Sequence, residues 1–312
     1  MTLTYLSEGI KKRIHKVALV PVKLCNTLYY YLSDKDNVIV VNASVFQFLS
    51  KIRHFNLGDD LNVYMLQAMT GKKVFIYNQF YHPTITNYMC IGSVIDWLSD
   101  EETIVWGAGI IKSPLNGKVT GGGKIYAVRG AKTRELLQQN GIECPAIYGD
   151  PALLLPYLYH PKVEKVKGRV GFIPHFYDKN DDNLHRLLKE FGEDAYLVKI
   201  QGYSDWKQII REIISCEYII SSSLHGLILS DAYGVPNLWV SFGDRLKGGR
   251  FKFEDYYSAV GKSAYEVKIT DSIHGKDLID KINVEKINFD PKPLLKACPF
   301  SIIHPSFNGM LE

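Results

Sequence analysis

The chain has 312 residues, of which 46% are hydrophobic and 22% are charged, and its formal net charge is +4. At this length, two domains of roughly 150 residues could each bury a core. The charge is too small for a dedicated nucleic-acid-binding protein, whose pI would exceed about 9. Its longest apolar runs, of about ten residues, are too short to span a bilayer.

The first segment of the chain is basic and then apolar. Lys11, Lys12, Arg13 and Lys16 precede residues 19–32. No small-residue cleavage site follows, so we expect no signal peptide. Residues 19–32 could form a surface helix in peripheral contact with an anionic membrane, or an ordinary N-terminal elaboration of the fold.

The five cysteines are widely spaced, and no pair has CxxC spacing. This pattern predicts neither a disulfide framework nor a zinc site, and we expect no metal. Reduced, buried thiols are typical of a cytosolic protein. We therefore expect a cytoplasmic protein, with any peripheral contact at the inner face of the cell membrane.

Short apolar runs alternate with helix-like segments between Asp59 and Phe242. The predicted strands are 73–77, 89–94, 103–106, 125–128, 170–173, 196–200, 218–221 and 237–240. The predicted helices are 60–70, 131–140, 182–191, 205–215 and 224–233. Apolar strands that alternate with helices indicate parallel sheets covered on both faces, which is an α/β architecture.

The composition changes at residues 156–167, where prolines lie among lysines. We place a linker there, and predict an N-terminal domain at 1–160 and a C-terminal domain at 161–312. Ligands of open α/β sheets bind at the carboxyl ends of the strands. We therefore expect two Rossmann-like domains that face each other across a ligand-binding cleft.

Asn56, Gly58 and Asp59 directly precede the first predicted helix of this alternating region. Gly58 permits a tight turn, and an aspartate here can cap the helix. Capping alone explains the aspartate as well as a catalytic role does. In the second interpretation the backbone and the carboxylate of this loop face the cleft.

Trp106 and Gly107 end a predicted buried strand. Small residues at such a position let a ligand or another backbone come close. The spacing of the glycines here is not that of GxGxxG. Residues 121–124 likewise lack the spacing of a P-loop, which argues against an ATPase.

Arg129 and Asp150 each follow an apolar strand-like run. Arg129 could point into the cleft and clamp an anion with two hydrogen bonds. Asp150 precedes a proline, so initiation of a turn explains it as well as a catalytic role does.

Two further groups of candidates lie in the C-terminal half. His175 follows the strand at 170–173, where a cleft residue belongs, although a structural role explains a histidine there as well as a functional one does. Residues 247–253 combine two glycines with Arg250 and Lys252. They predict a mobile basic loop that could close on a phosphate or carboxylate, or a solvated loop without function.

The most informative segment is 218–236, in which an apolar strand runs through three serines into Leu224, His225 and Gly226. This order predicts a strand that delivers His225 to the first turn of a helix. Backbone N–H groups there lack intrahelical partners, and the helix dipole favours an anion. His225 could therefore bind an anion or donate a proton.

Taken together, these motifs resemble the polysaccharide pyruvyl transferase family. The resemblance rests on segments that occur in family order over roughly residues 50–260: 56–59, 128–130 with 132–133, 149–152, 174–175, 222–226 and 232–236. The family implies a fold similar to the GT-B glycosyltransferases, with a C-terminal segment that often packs on the first domain. It implies transfer of the pyruvyl group of phosphoenolpyruvate, as a co-substrate without a further cofactor, to two sugar hydroxyls as a cyclic ketal.

The resemblance also implies roles for the candidate residues. His225 would protonate the donor or bind its phosphate, and Asp59, Asp150 and His175 are the candidate bases. The expected donor-side residues are Arg129, Ser222, Ser223, Leu224, Gly226, Arg250 and Lys252. The expected acceptor-side residues are Asn56, Gly58, Trp106 and Gly107. The acceptor would be a precursor of a cell-surface polysaccharide, lipid-linked, in or near the membrane.

One position departs from the family pattern. Many relatives carry arginine directly before Leu-His, where this chain has Ser223. The missing charge would have to come from Arg129, Arg250 or Lys252. The alternatives are a glycosyltransferase of the same fold that uses a nucleotide sugar, and a relative that binds anions or glycans without catalysis.

Overall fold

The computed structural model describes residues 8–48, 51–53, 56–81, 84–115, 119, 124–243 and 248–311. The helices are α1 (Glu8–Leu32), α2 (Leu57–Thr70), α3 (Ile95–Leu98), α4 (Ala131–Gln139), α5 (Leu155–Leu158), α6 (Asp182–Phe191), α7 (Trp206–Ser215), α8 (Leu224–Ala232), α9 (Phe251–Val260), α10 (Gly275–Ile279), α11 (Pro291–Lys296) and α12 (Asn308–Leu311). The strands are β1 (Val38–Val41), β2 (Phe46–Phe48), β3 (Lys51–Arg53), β4 (Lys73–Ile76), β5 (Asn87–Met89), β6 (Thr103–Trp106), β7 (Lys124–Ala127), β8 (Val170–Ile173), β9 (Ala195–Leu197), β10 (Tyr218–Ser221), β11 (Asn237–Ser241) and β12 (Glu266–Lys268).

Ten of these strands form two parallel sheets of five, which confirms the predicted α/β class. The first sheet has the order β4-β1-β5-β6-β7 and the second the order β12-β11-β10-β8-β9. Numbered within each sheet, both orders are 2-1-3-4-5, the flavodoxin-like arrangement. Strands β2 and β3 form a separate antiparallel pair.

The strand β1 was not predicted, although it is fully buried and lies inside the first sheet. Its four residues pair with β4 along their whole length and with β5 at Val41. The strand predicted at 89–94 is wrong over most of its length, because β5 ends at Met89 and Gly92 takes a φ of 121°. A left-handed φ of this kind interrupts a strand.

The prediction of a mobile loop at 247–253 is also wrong from Phe251 onward, where α9 begins. Two glycines with positive φ, Gly248 and Gly249, precede this helix. The helix then buries aromatic residues with helical spacing, at Phe253, Tyr256 and Tyr257. This apolar face holds the segment in place.

One hydrophobic core joins residues from both sheets and from α2, α7, α8 and α9. The end of the chain returns to the first sheet, where the Trp106 indole donates to the Leu294 carbonyl over 2.8 Å. The Ile303 backbone N–H donates to the Met69 carbonyl at the end of α2. Of the five thiols, Cys90, Cys144 and Cys216 are buried, whereas Cys25 is exposed, contrary to expectation.

Candidate active site

The strand order defines where a ligand would bind in each sheet. In a 2-1-3-4-5 sheet, connections leave in opposite directions from the first and third strands, and a crevice opens between their carboxyl ends. In the first sheet these strands are β1 and β5, and in the second they are β8 and β10. His175 follows β8, and Ser222 follows β10. Polar candidates therefore lie at the switch point of the second sheet.

The N-termini of α2 and α8 meet at this place. The Asn56 side chain caps α2 by accepting from the Gly58 N–H, and the first turn of α2 is buried. A Cβ atom on Gly58 would lie 2.0 Å from Nδ1 of His225, in the first turn of α8. Only glycine permits this contact. Gly58 at the start of α2 therefore sets the position of His225 at the start of α8.

His225 and Asp150 form a buried pair. The distance from His225 Nε2 to Asp150 Oδ2 is 3.8 Å, and the two side chains are 7% and 0% exposed. Within the described part of the chain, neither of these two atoms has a hydrogen-bond partner. The other carboxylate oxygen of Asp150 accepts from the Ala152 N–H, which fixes the group at the start of a 3-10 turn.

The protonation of this pair follows from its burial. Desolvation raises the pKa of Asp150 to about 7, against the opposing effects of the Ala152 N–H and Arg129. Burial and then the nearby charges of Arg129 and Lys252 lower the pKa of His225 to about 3. Below about pH 7 the carboxyl group therefore carries a proton beside a neutral imidazole, and near pH 7 about half of the molecules hold this proton.

Asp59 lies in the first turn of α2 and is almost fully buried. It accepts a hydrogen bond of 2.7 Å from the Asn56 amide. A Cβ on Gly92 would lie 3.0 Å from its Oδ1, so the loop after β5 packs closely against the carboxylate. Burial raises the pKa of Asp59 to about 7, although the Asn56 hydrogen bond opposes the shift.

Lys252, near the start of α9, adds a buried positive charge to the group. Burial is the main cause that lowers the pKa of its ammonium to about 8, and Arg129 acts in the same direction. The carboxylates of Asp59 and Asp178 favour its charged form. Burial and the nearby Lys252 lower the pKa of His175 to about 3, which makes this imidazole neutral as well.

Asp178 was missed by the sequence analysis. It is 2% exposed and accepts a 2.7 Å hydrogen bond from the Ser222 hydroxyl, which in turn accepts from the His175 N–H. This chain of contacts ties the loop after β8 to the end of β10. A carboxylate so soon after a strand end was the available signal.

Arg129 is engaged by contacts within the protein. Its guanidinium is fully buried and donates to Asp255 in α9, to the Ser93 hydroxyl and to the Ile110 carbonyl. Asp255 also accepts from the backbone and the hydroxyl of Thr133 in α4. Arg129 therefore joins the two halves of the molecule and acts on the site through its charge. Its partner is far away in the sequence, and no local pattern revealed it.

Arg250 also lies away from the candidate site. Its side chain is 48% exposed, pairs with Glu254 and Glu266, and covers the Trp239 ring at 4.8 Å. These acidic partners satisfy the guanidinium on the surface. Of the three cations considered for the missing charge, Lys252 therefore remains beside the buried carboxylates.

Several small or apolar candidates have structural roles. Ser223 is the buried N-cap residue of α8, and Leu224 packs in the core. A Cβ on Gly226 would approach Ser221 Oγ to 2.3 Å, so this glycine lets α8 pack on β10. Trp106 is fully buried, and Gly107 packs on Pro151 with a φ of 93°. The Trp106 side chain is thus packed inside the protein, with its indole N–H bonded to the Leu294 carbonyl.

The described residues contain neither a candidate metal site nor a candidate membrane-spanning helix. No group of three or more His, Cys, Asp or Glu side chains in this part of the chain is arranged to hold a metal ion. Among the helices of the same residues, none combines the length and the apolar character needed to cross a membrane.

The sequence was compared with known families and proteins. Residues 7–244 match the family described as polysaccharide pyruvyl transferase. The chain is 27% identical to an uncharacterized protein of Acanthamoeba polyphaga mimivirus over 247 residues, which cover 77% of this chain and 83% of the viral protein. It is 22% identical to the succinoglycan biosynthesis protein ExoV of Rhizobium meliloti (strain 1021) over 259 residues, covering 77% and 72% of the two chains.

The fold was also compared with solved structures. An uncharacterized protein of Klebsiella pneumoniae subsp. pneumoniae NTUH-K2044 aligns with a TM-score of 0.41 and 15% sequence identity. The alignment covers 81% of this chain and 98% of the Klebsiella chain.

Proposed function

Because the chain belongs to the polysaccharide pyruvyl transferase family, we propose that it transfers the pyruvyl group of phosphoenolpyruvate to two hydroxyls of one sugar. C3 of the donor gains a proton and becomes a methyl group. Both sugar oxygens bond to C2, and the bond between C2 and the phosphate oxygen breaks. The two sugar hydroxyls lose two protons in total. This number equals the one proton that C3 gains plus the one proton that the released phosphate carries.

The family match over residues 7–244 carries this proposal. The name of ExoV supports a polysaccharide acceptor, since it places that relative in succinoglycan biosynthesis. We propose a lipid-linked precursor of a cell-surface polysaccharide as the acceptor and the cytoplasm as the place of reaction. We also propose that domains 1–160 and 161–312 are arranged as in GT-B enzymes, with phosphoenolpyruvate as the sole co-substrate.

The Asp150–His225 pair is suited to supply the proton. The donor brings a carboxylate and a phosphate, and negative charge beside an imidazole favours its protonated form. We propose that binding of the donor shifts the shared proton from Asp150 to His225. His225 then protonates C3 as the general acid, while ionised Asp150 stabilises the imidazolium. Asp150 acts through His225 and is a positioning residue in this scheme.

Lys252 is suited to bind the anionic donor. It is 8% exposed, and its neighbours Asp59 and Asp178 keep a positive charge in a buried place. We propose that this lysine supplies the positive charge that many relatives carry as an arginine at the position of Ser223. The N-terminus of α8 would bind the donor together with it. The two neutral histidines add hydrogen-bonding groups without adding charge.

Asp59 is suited to take a proton from a sugar hydroxyl. Its pKa of about 7 makes ionised and neutral forms accessible at physiological pH, which is favourable for a general base. The side chain comes from the N-terminal half, where we expect the acceptor. Asn56 holds one carboxylate oxygen and directs the other toward the loop after β5.

The direct test incubates the purified protein with phosphoenolpyruvate and glycans that offer adjacent or 4,6-related hydroxyl pairs. We expect acceptor-dependent phosphate release and a new ketal methyl signal by NMR. The His225→Ala variant serves as the inactive control. Turnover of a nucleotide sugar, without phosphate release from phosphoenolpyruvate, would establish the glycosyltransferase alternative instead.

A further inference from the structure

The helix α1 presents an apolar face that the described residues of the chain leave exposed. Val20, Leu24 and Leu28 recur at every fourth residue and are 42%, 58% and 62% exposed. Tyr31 and Leu32 continue the same face and are 48% and 77% exposed. The outward face of a surface helix is normally polar, so this stripe requires an explanation.

The opposite face of α1 is anchored to the protein. Tyr30 is buried and packs its ring against Phe80, with the centroids 6.0 Å apart. The Asn26 amide donates to the side chain of Gln79, and the Lys23 ammonium lies over the Tyr81 ring. These contacts fix the rotation of the helix. The apolar stripe therefore faces outward because the opposite face of the helix is packed on the protein.

The charge of the helix indicates what covers this face. Five basic residues lie in the sequence of α1, and no aspartate or glutamate occurs from residue 9 to residue 33; the five are Lys11, Lys12, Arg13, Lys16 and Lys23. A helix with cationic residues and an apolar stripe suits the interface of an anionic bilayer. Tyrosine, as at position 31, is enriched at that depth.

The apolar stripe is exposed, and the charged residues between positions 9 and 33 are all basic. From these two observations we infer that α1 docks the protein on anionic lipid bilayers. The helix lies in the plane of the interface, with Leu24 and Leu28 entering the acyl region, while the positive charge of the segment 11–16 attracts the anionic surface. This docking is independent of the proposed transfer reaction, because α1 contributes no residue to the candidate active site.

The test is flotation of the full chain with vesicles of phosphatidylcholine alone and with 30% phosphatidylglycerol added. We expect binding to the anionic vesicles at least about tenfold stronger than to the neutral ones, weakening at 0.5 M salt. The double variant Leu24→Ser/Leu28→Ser should lose at least about tenfold in binding, because it removes buried apolar area. Its thermal unfolding should be unchanged.

A matched control is Val284→Ser, which removes an apolar side chain of 71% exposure away from the helix and should bind like the wild type. Equal binding to neutral and anionic vesicles, or no binding to either, would overturn the proposal. So would a dimer that dissociates in the double variant without vesicle binding, since a second copy would then be the occupant. The phosphate-release assay with a water-soluble acceptor reports separately on the transfer reaction.

Discussion

The contact between Gly58 and His225 links two residues that lie far apart in the sequence. A methyl group at position 58 would overlap the imidazole, at 2.0 Å from Nδ1. We expect Gly58→Ala to displace the ring and to lower kcat at least tenfold, because a misplacement of about 1 Å can cost a hundredfold. The matched control is Gly309→Ala, where no atom lies within 4 Å of the added Cβ. Equal rates for both variants would contradict the positioning role.

A second prediction concerns the proton shared by Asp150 and His225. Asp150→Asn keeps the shape but cannot pass on a proton, so we expect kcat to fall by about 10²-fold or more. His225→Ala should cost a similar factor, and the double variant little more, because the two groups act as a unit. Steady-state kinetics would check this, with circular dichroism as the control for folding. If the loss of kcat in the double variant equals the product of the losses in the two single variants, the groups act independently and do not share a proton.

Lys252 permits a prediction about donor affinity. Lys252→Met keeps most of the side-chain volume but removes the buried charge, so we expect KM for phosphoenolpyruvate to rise at least about tenfold. Arg250→Met is the matched control, because that guanidinium lies two residues before Lys252 in the sequence and pairs with Glu254 and Glu266 away from the candidate site. If Arg250→Met raises KM as much as Lys252→Met, the donor site does not lie beside Lys252.

At the scale of elements, α9 connects the two halves through the buried ion pair of Arg129 with Asp255 and the more exposed pair of Lys132 with Glu254. Asp255→Ala would leave the fully buried Arg129 without its counter-ion, which typically costs about 3–5 kcal/mol. Arg250→Ala, at the start of the same helix, removes the pairs of a half-exposed guanidinium with Glu254 and Glu266 and should cost less than about 1 kcal/mol. Urea unfolding of both variants measures the difference. A cost below about 1 kcal/mol for Asp255→Ala would mean that Arg129 finds water or another partner.

The elements that were predicted correctly are those whose cause lies in the nearby sequence. Strands such as β6, β8 and β10 were predicted at their observed bounds, because each short apolar run begins after a charged residue and ends before glycine, proline or serine. The four residues of β1 carry the same kind of run, but they follow α1 rather than a strand–helix repeat. For α9 the two preceding glycines suggested a loop, while burial of the aromatic face supplied the stability.

The same distinction applies to the candidate site. His225, Asp59 and Asp150 were proposed from strand and helix ends, and the structure places them close together. Asp255 lies inside a helix, and its pairing with Arg129 spans 126 positions. Such a contact depends on how the two halves meet, and a single sequence carries no local signal for it.

At the scale of the whole molecule, the buried carboxyl groups make stability depend on pH. The pKa of Asp59 is about 7 in the folded protein, against an ordinary value of 3.8. Between these values the folded state binds more protons than the unfolded state, so this group lowers stability as pH rises. The effect is about 1.4 kcal/mol per pH unit and ends near pH 7.

Asp59→Asn removes this contribution while it preserves a hydrogen-bond acceptor for Asn56. Relative to the wild type, we expect the variant to gain about 2 kcal/mol in the free energy of unfolding between pH 5 and pH 7, because Asp59 is about half ionised at the upper value. Urea unfolding at the two pH values measures this difference, in which the effects of the histidines and of Asp150 cancel. A constant difference between the two proteins would show that Asp59 ionises normally.

The family match ends at residue 244, before the helix that carries Lys252 and Asp255. A fragment cut at that boundary would keep every family motif but lose the strand β12, the counter-ion of Arg129 and the backbone contact between Ile303 and Met69. We expect such a fragment to aggregate rather than to act as a smaller enzyme. We therefore expect the minimal folding unit to be longer than the segment that matches the family, and to extend at least to Ile303.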